Sequence, residues 1–178
     1  MNLPNKLTVI RVILILPFVL LMQFGGNGNG RFAALAIFCI ASFTDFLDGY
    51  LARRDHLVTN FGKFMDPLAD KMLVGAALIC LVSLDKIPAW VVIIIISREF
   101  AISGFRLVAS DNGVVIAAGW WGKFKTVSQM IMIILLLADF GGIFDILEQA
   151  FIWIALALTV ISLVDYIWKN RQVLNMQE

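Results

Sequence analysis

The chain has 178 residues, 61% of them apolar and 15% charged, with a mean hydropathy of +0.90. A soluble domain of that length is about 45–50% apolar and about 25% charged, so one core cannot hide the excess and the composition implies an integral membrane protein. A net charge of +1 gives no general attraction to nucleic acid, and the only two cysteines, Cys39 and Cys80, sit in apolar runs as small hydrophobes rather than as a disulfide scaffold.

A helix needs about 20 mostly apolar residues to cross a bilayer. Six stretches meet that need, at approximately 7–24, 32–53, 65–84, 87–109, 122–139 and 146–168, and they predict an all-α six-transmembrane-helix bundle. The segment MNLPNKLTVIR is too polar for the centre of a span and predicts a short N-terminal amphipathic interfacial helix. The first apolar stretch ends in FGGNGNG with no small-x-small cleavage site, so it is expected to be retained. GGNGNG at 25–30 reads as a flexible turn, and Pro88 as a first-turn proline after the break at Asp85 and Lys86. No repeat or low-complexity stretch marks a separate domain, so 1–178 reads as a single membrane domain.

Lys and Arg orient such a bundle, because cytoplasmic segments carry the excess of both. With the N-terminus inside, twelve of the 14 fall at or near the cytoplasmic side, and only Arg31 and Lys86 on the other. Both termini are then cytoplasmic. Trp90, Trp120, Trp121 and Trp168 lie near span ends, as interfacial anchors do.

Ionisable residues within spans are costly and mark functional sites. Asp45 and Asp48 are three apart in the second span, and Asp66 and Asp70 four apart at the start of the third. On helices, both spacings put the two carboxylates on one face. Two antiparallel helices joined by a short loop would gather all four, and such a quartet must take up protons or hold cations. Oxygen-only ligands favour Mg²⁺, Mn²⁺ or Ca²⁺ over zinc, and the single histidine, His56, has no partner of ligand type nearby. Paired ions in a carboxylate cluster suit phosphoryl transfer. Gly49, Ala52 and Gly62 leave room for a close approach to the backbone, and Arg53 offers paired donors to phosphate oxygens.

These positions spell Asp45-x2-Asp48-Gly49-x2-Ala52-Arg53-x8-Gly62-x3-Asp66-x3-Asp70, which resembles the eight-position signature of the CDP-alcohol phosphatidyltransferase family. The likeness covers essentially the whole chain. Through NLPNKLT, TDFLDGYLARR, FGKFMDPLADK, SREFAISGFR and GKFKT, it is most similar to the family's bacterial phosphatidylglycerophosphate synthase branch. The resemblance implies two divalent cations, Mg²⁺ or Mn²⁺, held by Asp45, Asp48, Asp66 and Asp70, with Asp70 also the general base. It implies CDP binding by Gly49, Ala52, Arg53 and Gly62, with Asn5, Thr8 and Arg11 as secondary contributors. It also implies CDP-diacylglycerol and glycerol 3-phosphate as substrates, membrane lipid as the surroundings, and a homodimer.

An acceptor phosphate needs its own cations. Arg98, after the run VVIIIIS, together with Arg106, Lys123 and Lys125, is expected to bind it, most directly through Arg106 and Lys123. Glu99 is positioned to pair locally with Arg98 instead. Serine, inositol phosphate or a second phosphatidylglycerol are the alternative acceptors. A cation transporter or channel, the rival from another class, would need ionisable groups continuing to the outer side, where this chain has almost none.

Overall fold

The computed structural model describes residues 3–54, 60–111, 116 and 119–171, with side chains omitted at 3–5, 26–27, 45–54, 60–64, 66–67 and 111. Among the described residues the regular structure is entirely helical: α1 (Leu3–Phe24), a π-helical turn (Gly26–Gly30), α2 (Arg31–Arg54), α3 (Asn60–Ser83), α4 (Ala89–Asp111), α5 (Trp120–Ala138) and α6 (Ile143–Lys169). Each of the six apolar stretches falls on one of these helices, to within two residues at the ends. Among the described residues, length and composition alone qualify three segments as spans: Lys6–Phe24, Trp120–Ala138 and Ile143–Lys169.

The separate interfacial helix expected over 1–11 is not formed. α1 is continuous from Leu3, because Pro4 falls in its first turn, where no intrahelical N–H bond is lost, and nothing else interrupts the backbone before Pro17. Thr8 and Arg11, expected near the interface, are buried inside the protein. The GGNGNG segment forms a π-helical turn over Gly26–Gly30. Gly28 has φ +115°, and a Cβ on Gly30 would overlap the Gly25 backbone. α3 ends in a Schellman motif, with Lys86 N–H donating to Leu81 O and Asp85 N–H to Val82 O, and Asp85 takes the left-handed position at φ 55°. Pro88, expected inside the first turn, stands just before α4, where its carbonyl accepts from the Val91 and Val92 N–H groups.

Contacts divide the chain into two compact units, Met1–Lys86 and Ile87–Glu178. In the first unit α1 packs extensively on both α2 and α3, which touch each other much less. The acidic pairs were expected on two directly paired helices, whereas here α1 is the common partner of both. The buried stripe of α1 runs Thr8, Arg11, Phe18, Met22, that of α2 Ala34, Phe38, Ala41, and that of α3 Ala69, Leu73, Ala77, Leu81. The Phe18 and Phe38 rings meet at 6.2 Å, and the fully buried alanines allow close helix approach.

In the second unit α6 packs on both α4 and α5. Its inner faces are unusually polar: Lys125, Ser128 and Gln129 on α5, and Glu148, Thr159, Ser162 and Tyr166 on α6, are all buried. The outer faces carry exposed Ile93, Val127, Ile146, Trp153 and Val164. Polar groups inside and apolar groups outside invert the soluble pattern, as lipid surroundings require. Cys39 and Cys80 are free thiols, in keeping with their reading as small hydrophobes.

Candidate active site

The three inner stripes of the first unit change character towards one end. On α2 the buried positions 34, 38 and 41 continue in the same register to Asp45 and Asp48. On α3, positions 81, 77 and 73 lead back in register to Asp70 and Asp66. On α1 the stripe begins with Thr8 and Arg11. Both acidic pairs lie within unbroken helix, so each pair shares a face about one turn apart. α1 and α3 run opposite to α2 around them, so the beginnings of α1 and α3 and the end of α2 fall at the same end of the unit. There the positions in register with the buried stripes are polar in sequence, and elsewhere the stripes are mostly apolar.

Asp70 is half-buried. The side chains of Asn5, Asp45, Asp48, Gly49, Ala52, Arg53, Gly62 and Asp66 fall outside the described ones, although their backbone is helical, and His56 lies outside the described residues altogether. Thr8 is fully buried. Arg11, 1% exposed, donates its Nε–H to the Ala41 carbonyl at 3.2 Å, and Thr44 Oγ1 donates to the same oxygen at 2.8 Å. As a donor set for a hard divalent ion, four carboxylates on two helical faces with no thiol or imidazole among them are chemically suited.

The second unit holds the basic residues. Glu99 bridges two of them: its Oε1 accepts from the Lys125 ammonium and, at 3.3 Å, from Arg98 Nη1. Lys125 is 1% exposed and Arg98 is buried, so the bridge joins α4 to α5 inside the unit. Arg98 Nη2 lies 3.6 Å from where a Cβ would stand on Gly122, which lets the guanidinium rest against the first turn of α5. Arg98 Nε makes no hydrogen bond among the described residues. Arg106 is exposed and stacks over the Tyr166 ring at 5.6 Å, while Phe105 meets the same ring edge-on at 5.6 Å. Lys123 is exposed and lies 4.6 Å over Trp120.

Among the described residues, Arg98 and Lys125 thus share the Glu99 carboxylate. The Tyr166 hydroxyl is buried with no hydrogen-bond partner among the described residues.

Sequence reasoning anticipated the Arg98–Glu99 pairing but missed the Lys125 bond, the Tyr166 platform and Arg11's hold on α2. A signal for Tyr166 was present, since it continues the polar stripe Thr159, Ser162 at helical spacing. A second acidic group was also missed: Asp139, Asp145 and Glu148 bring carboxylate oxygens within 4.8 Å of one another. It lies at the far end of α5 from Lys125, roughly 20 Å along the helix, and so apart from the basic cluster.

The sequence model described as CDP-alcohol phosphatidyltransferase matches residues 1–161. The chain is 47% identical to the CDP-diacylglycerol–glycerol-3-phosphate 3-phosphatidyltransferase of Bacillus subtilis, over 97% of each protein. It is 40% identical to a probable phosphatidylglycerophosphate synthase of Mycobacterium tuberculosis, covering 93% of this chain and 80% of that protein. A Haemophilus influenzae protein with the same name as the Bacillus one is also 40% identical, over 93% of this chain and 91% of its own length. With a family model matched over residues 1–161 and near full-length coverage by a relative at 47% identity, the chain belongs to the CDP-alcohol phosphatidyltransferase family.

Proposed function

We propose that this chain transfers the phosphatidyl group of CDP-diacylglycerol to sn-glycerol 3-phosphate, giving phosphatidylglycerophosphate and CMP. What supports the reading is that Asp45 and Asp48 on α2, and Asp66 and Asp70 on α3, stand at helical positions in register with the buried residues of those helices. The full-length similarity to enzymes named for this reaction supports the choice of acceptor. The family match runs across the boundary between the two units, which supports one catalytic domain over 1–178.

Asp45, Asp48, Asp66 and Asp70 would hold two divalent cations, Mg²⁺ or Mn²⁺, whose charge neutralises the pyrophosphate and the departing CMP. Gly49, Ala52 and Gly62 leave the helix backbone open to the nucleotide, and Arg53 supplies paired donors to the phosphates. Asn5 and Thr8 complete the nucleotide side from α1. Asp70 takes the proton from the C1 hydroxyl of glycerol 3-phosphate as its oxygen bonds to the lipid-side phosphorus and the bond to CMP breaks. An ordinary carboxylate is a weak base, so Asp70 works by position and partial transfer in the transition state.

The second unit recognises the acceptor's phosphate. Arg106 and Lys123, exposed and held on aromatic rings, are its direct donors. Arg98 and Lys125, tied together by Glu99, supply the surrounding positive field. The protein resides in the bacterial cytoplasmic membrane as a homodimer, with both termini and the active site on the cytoplasmic side, as the Lys/Arg distribution implies.

The test uses the purified full chain in detergent with CDP-diacylglycerol, Mn²⁺ or Mg²⁺, and a panel of acceptors. CMP release that depends on metal and on glycerol 3-phosphate, well above serine and inositol phosphate, is the expected result. Release with another acceptor in preference would overturn the assignment of substrate, and none with any acceptor would overturn the enzyme.

A further inference from the structure

Three donors converge on the Ala41 carbonyl. In a continuous α-helix this oxygen is the acceptor for the backbone N–H four residues on, which belongs to Asp45. Arg11 Nε and Thr44 Oγ1 bond to it as well, at 3.2 and 2.8 Å. Extra donors draw a helical carbonyl away from the axis and bend the helix at that point. No glycine or proline lies in α2 between Arg31 and Asp48 to set its course by other means.

Arg11 is also an expensive residue to place there. Its side chain is among the largest fully buried ones in the chain, and a guanidinium taken out of water is tolerated only when charge-assisted hydrogen bonds compensate it. Leucine would fill the same stripe on α1 at no such penalty. Its position is specific too: it reaches from α1 to the turn that leads into Asp45, with Thr8 buried one turn before it on the same stripe.

We propose that Arg11 is a positioning residue for the metal-holding end of α2, setting through the Ala41 carbonyl the course of the helix backbone at the turn that carries Asp45. The inference rests on the reading that Asp45 holds a divalent cation. It gives Arg11 no contact with substrate. Outer partners that orient a ligating carboxylate influence metal affinity directly, so the effect belongs to metal binding rather than to acceptor recognition.

The experiment titrates Mn²⁺ alone into the purified full chain, following free ion by its paramagnetic resonance signal. Asp45→Asn defines the share of binding that belongs to this site rather than to Asp139, Asp145 and Glu148. For Arg11→Met, which keeps the stem and removes the donors, that share should bind about tenfold more weakly. The glycerol 3-phosphate KM at saturating Mn²⁺ should stay at the wild-type value. Should the Met variant fail to fold, Arg11→Lys, which keeps charge and stem but lacks Nε, gives the same reading. Affinity within about twofold of wild type in the folded variant would overturn the inference alone. Wild-type protein with no Mn²⁺ binding sensitive to Asp45→Asn would overturn the metal assignment and this inference with it.

Discussion

Glu99 and Lys125 form an ion pair between α4 and α5, with the ammonium almost wholly removed from solvent. A buried cation is stable only while its counter-charge is present. Glu99 also holds Arg98, so this one carboxylate compensates two buried cations. Replacing it by alanine is expected to destabilise the protein by about 3 kcal/mol, since it strands Lys125 while Glu99 itself keeps some water contact. Glu99→Gln, which retains an acceptor, should lose less. Thermal unfolding in detergent checks the order, and equal midpoints for wild type and Glu99→Ala would contradict the role given to the pair.

The turn between α1 and α2 offers a second test, because two of its glycines are required for different reasons. A Cβ on Gly30 meets the Gly25 backbone, whereas one on Gly28 meets nothing within 4 Å but must sit at φ +115°. Gly30→Ala should cost about 1–3 kcal/mol through overpacking. Gly28→Ala should lose a comparable amount through backbone strain alone. Unfolding midpoints of the two variants measure this, and an unchanged midpoint for Gly30→Ala would mean that the turn opens freely.

Hydropathy made the helices legible, because long apolar runs form helix whatever they pack against, and the observed ends lie within a few residues of the expected ones; three of those helices are long and apolar enough to span among the described residues. The acidic pairs were legible for a similar reason: spacings of three and four have one meaning on a helix. Partner choice was not. Nothing in the periodicity of 32–53 or 65–84 says that both stripes turn to α1, and Thr8 and Arg11 were expected on an interfacial segment because hydropathy does not show that neighbouring helices bury them. Likewise Lys125 was expected at the acceptor's phosphate, and only the fold brings Glu99 to it from 26 residues away.

Asp70 is expected to control the chemical step. If it accepts the acceptor's proton, Asp70→Asn should lower kcat by about 10²–10⁴-fold, the range of general acid–base catalysis. Because the same carboxylate is assigned to the metal pair, the loss should persist when Mn²⁺ is raised to saturation. Steady-state CMP release across a metal titration distinguishes the two roles. Full recovery at high metal would leave Asp70 as a ligand only, and near-normal turnover at ordinary metal would remove it from the mechanism.

Arg106 is expected to discriminate acceptors by charge. Its guanidinium is exposed yet held over Tyr166, so it is ordered before a ligand arrives and loses little freedom on binding one. A hydrogen bond to a charged partner contributes about 1.5–3 kcal/mol, so Arg106→Ala should raise the glycerol 3-phosphate KM by roughly 10–100-fold. The KM for CDP-diacylglycerol should not move, since the nucleotide is assigned to the first unit. Tyr166→Leu, which removes the platform but leaves the cation, should give a smaller increase in the same direction. Tyr166→Phe separates ring from hydroxyl, and any loss it shows belongs to the buried oxygen that now lacks a partner. Unphosphorylated glycerol, with no anion to recognise, should be used equally poorly by wild type and Arg106→Ala. An unchanged glycerol 3-phosphate KM in Arg106→Ala would move the phosphate site to other cations, Lys123 first.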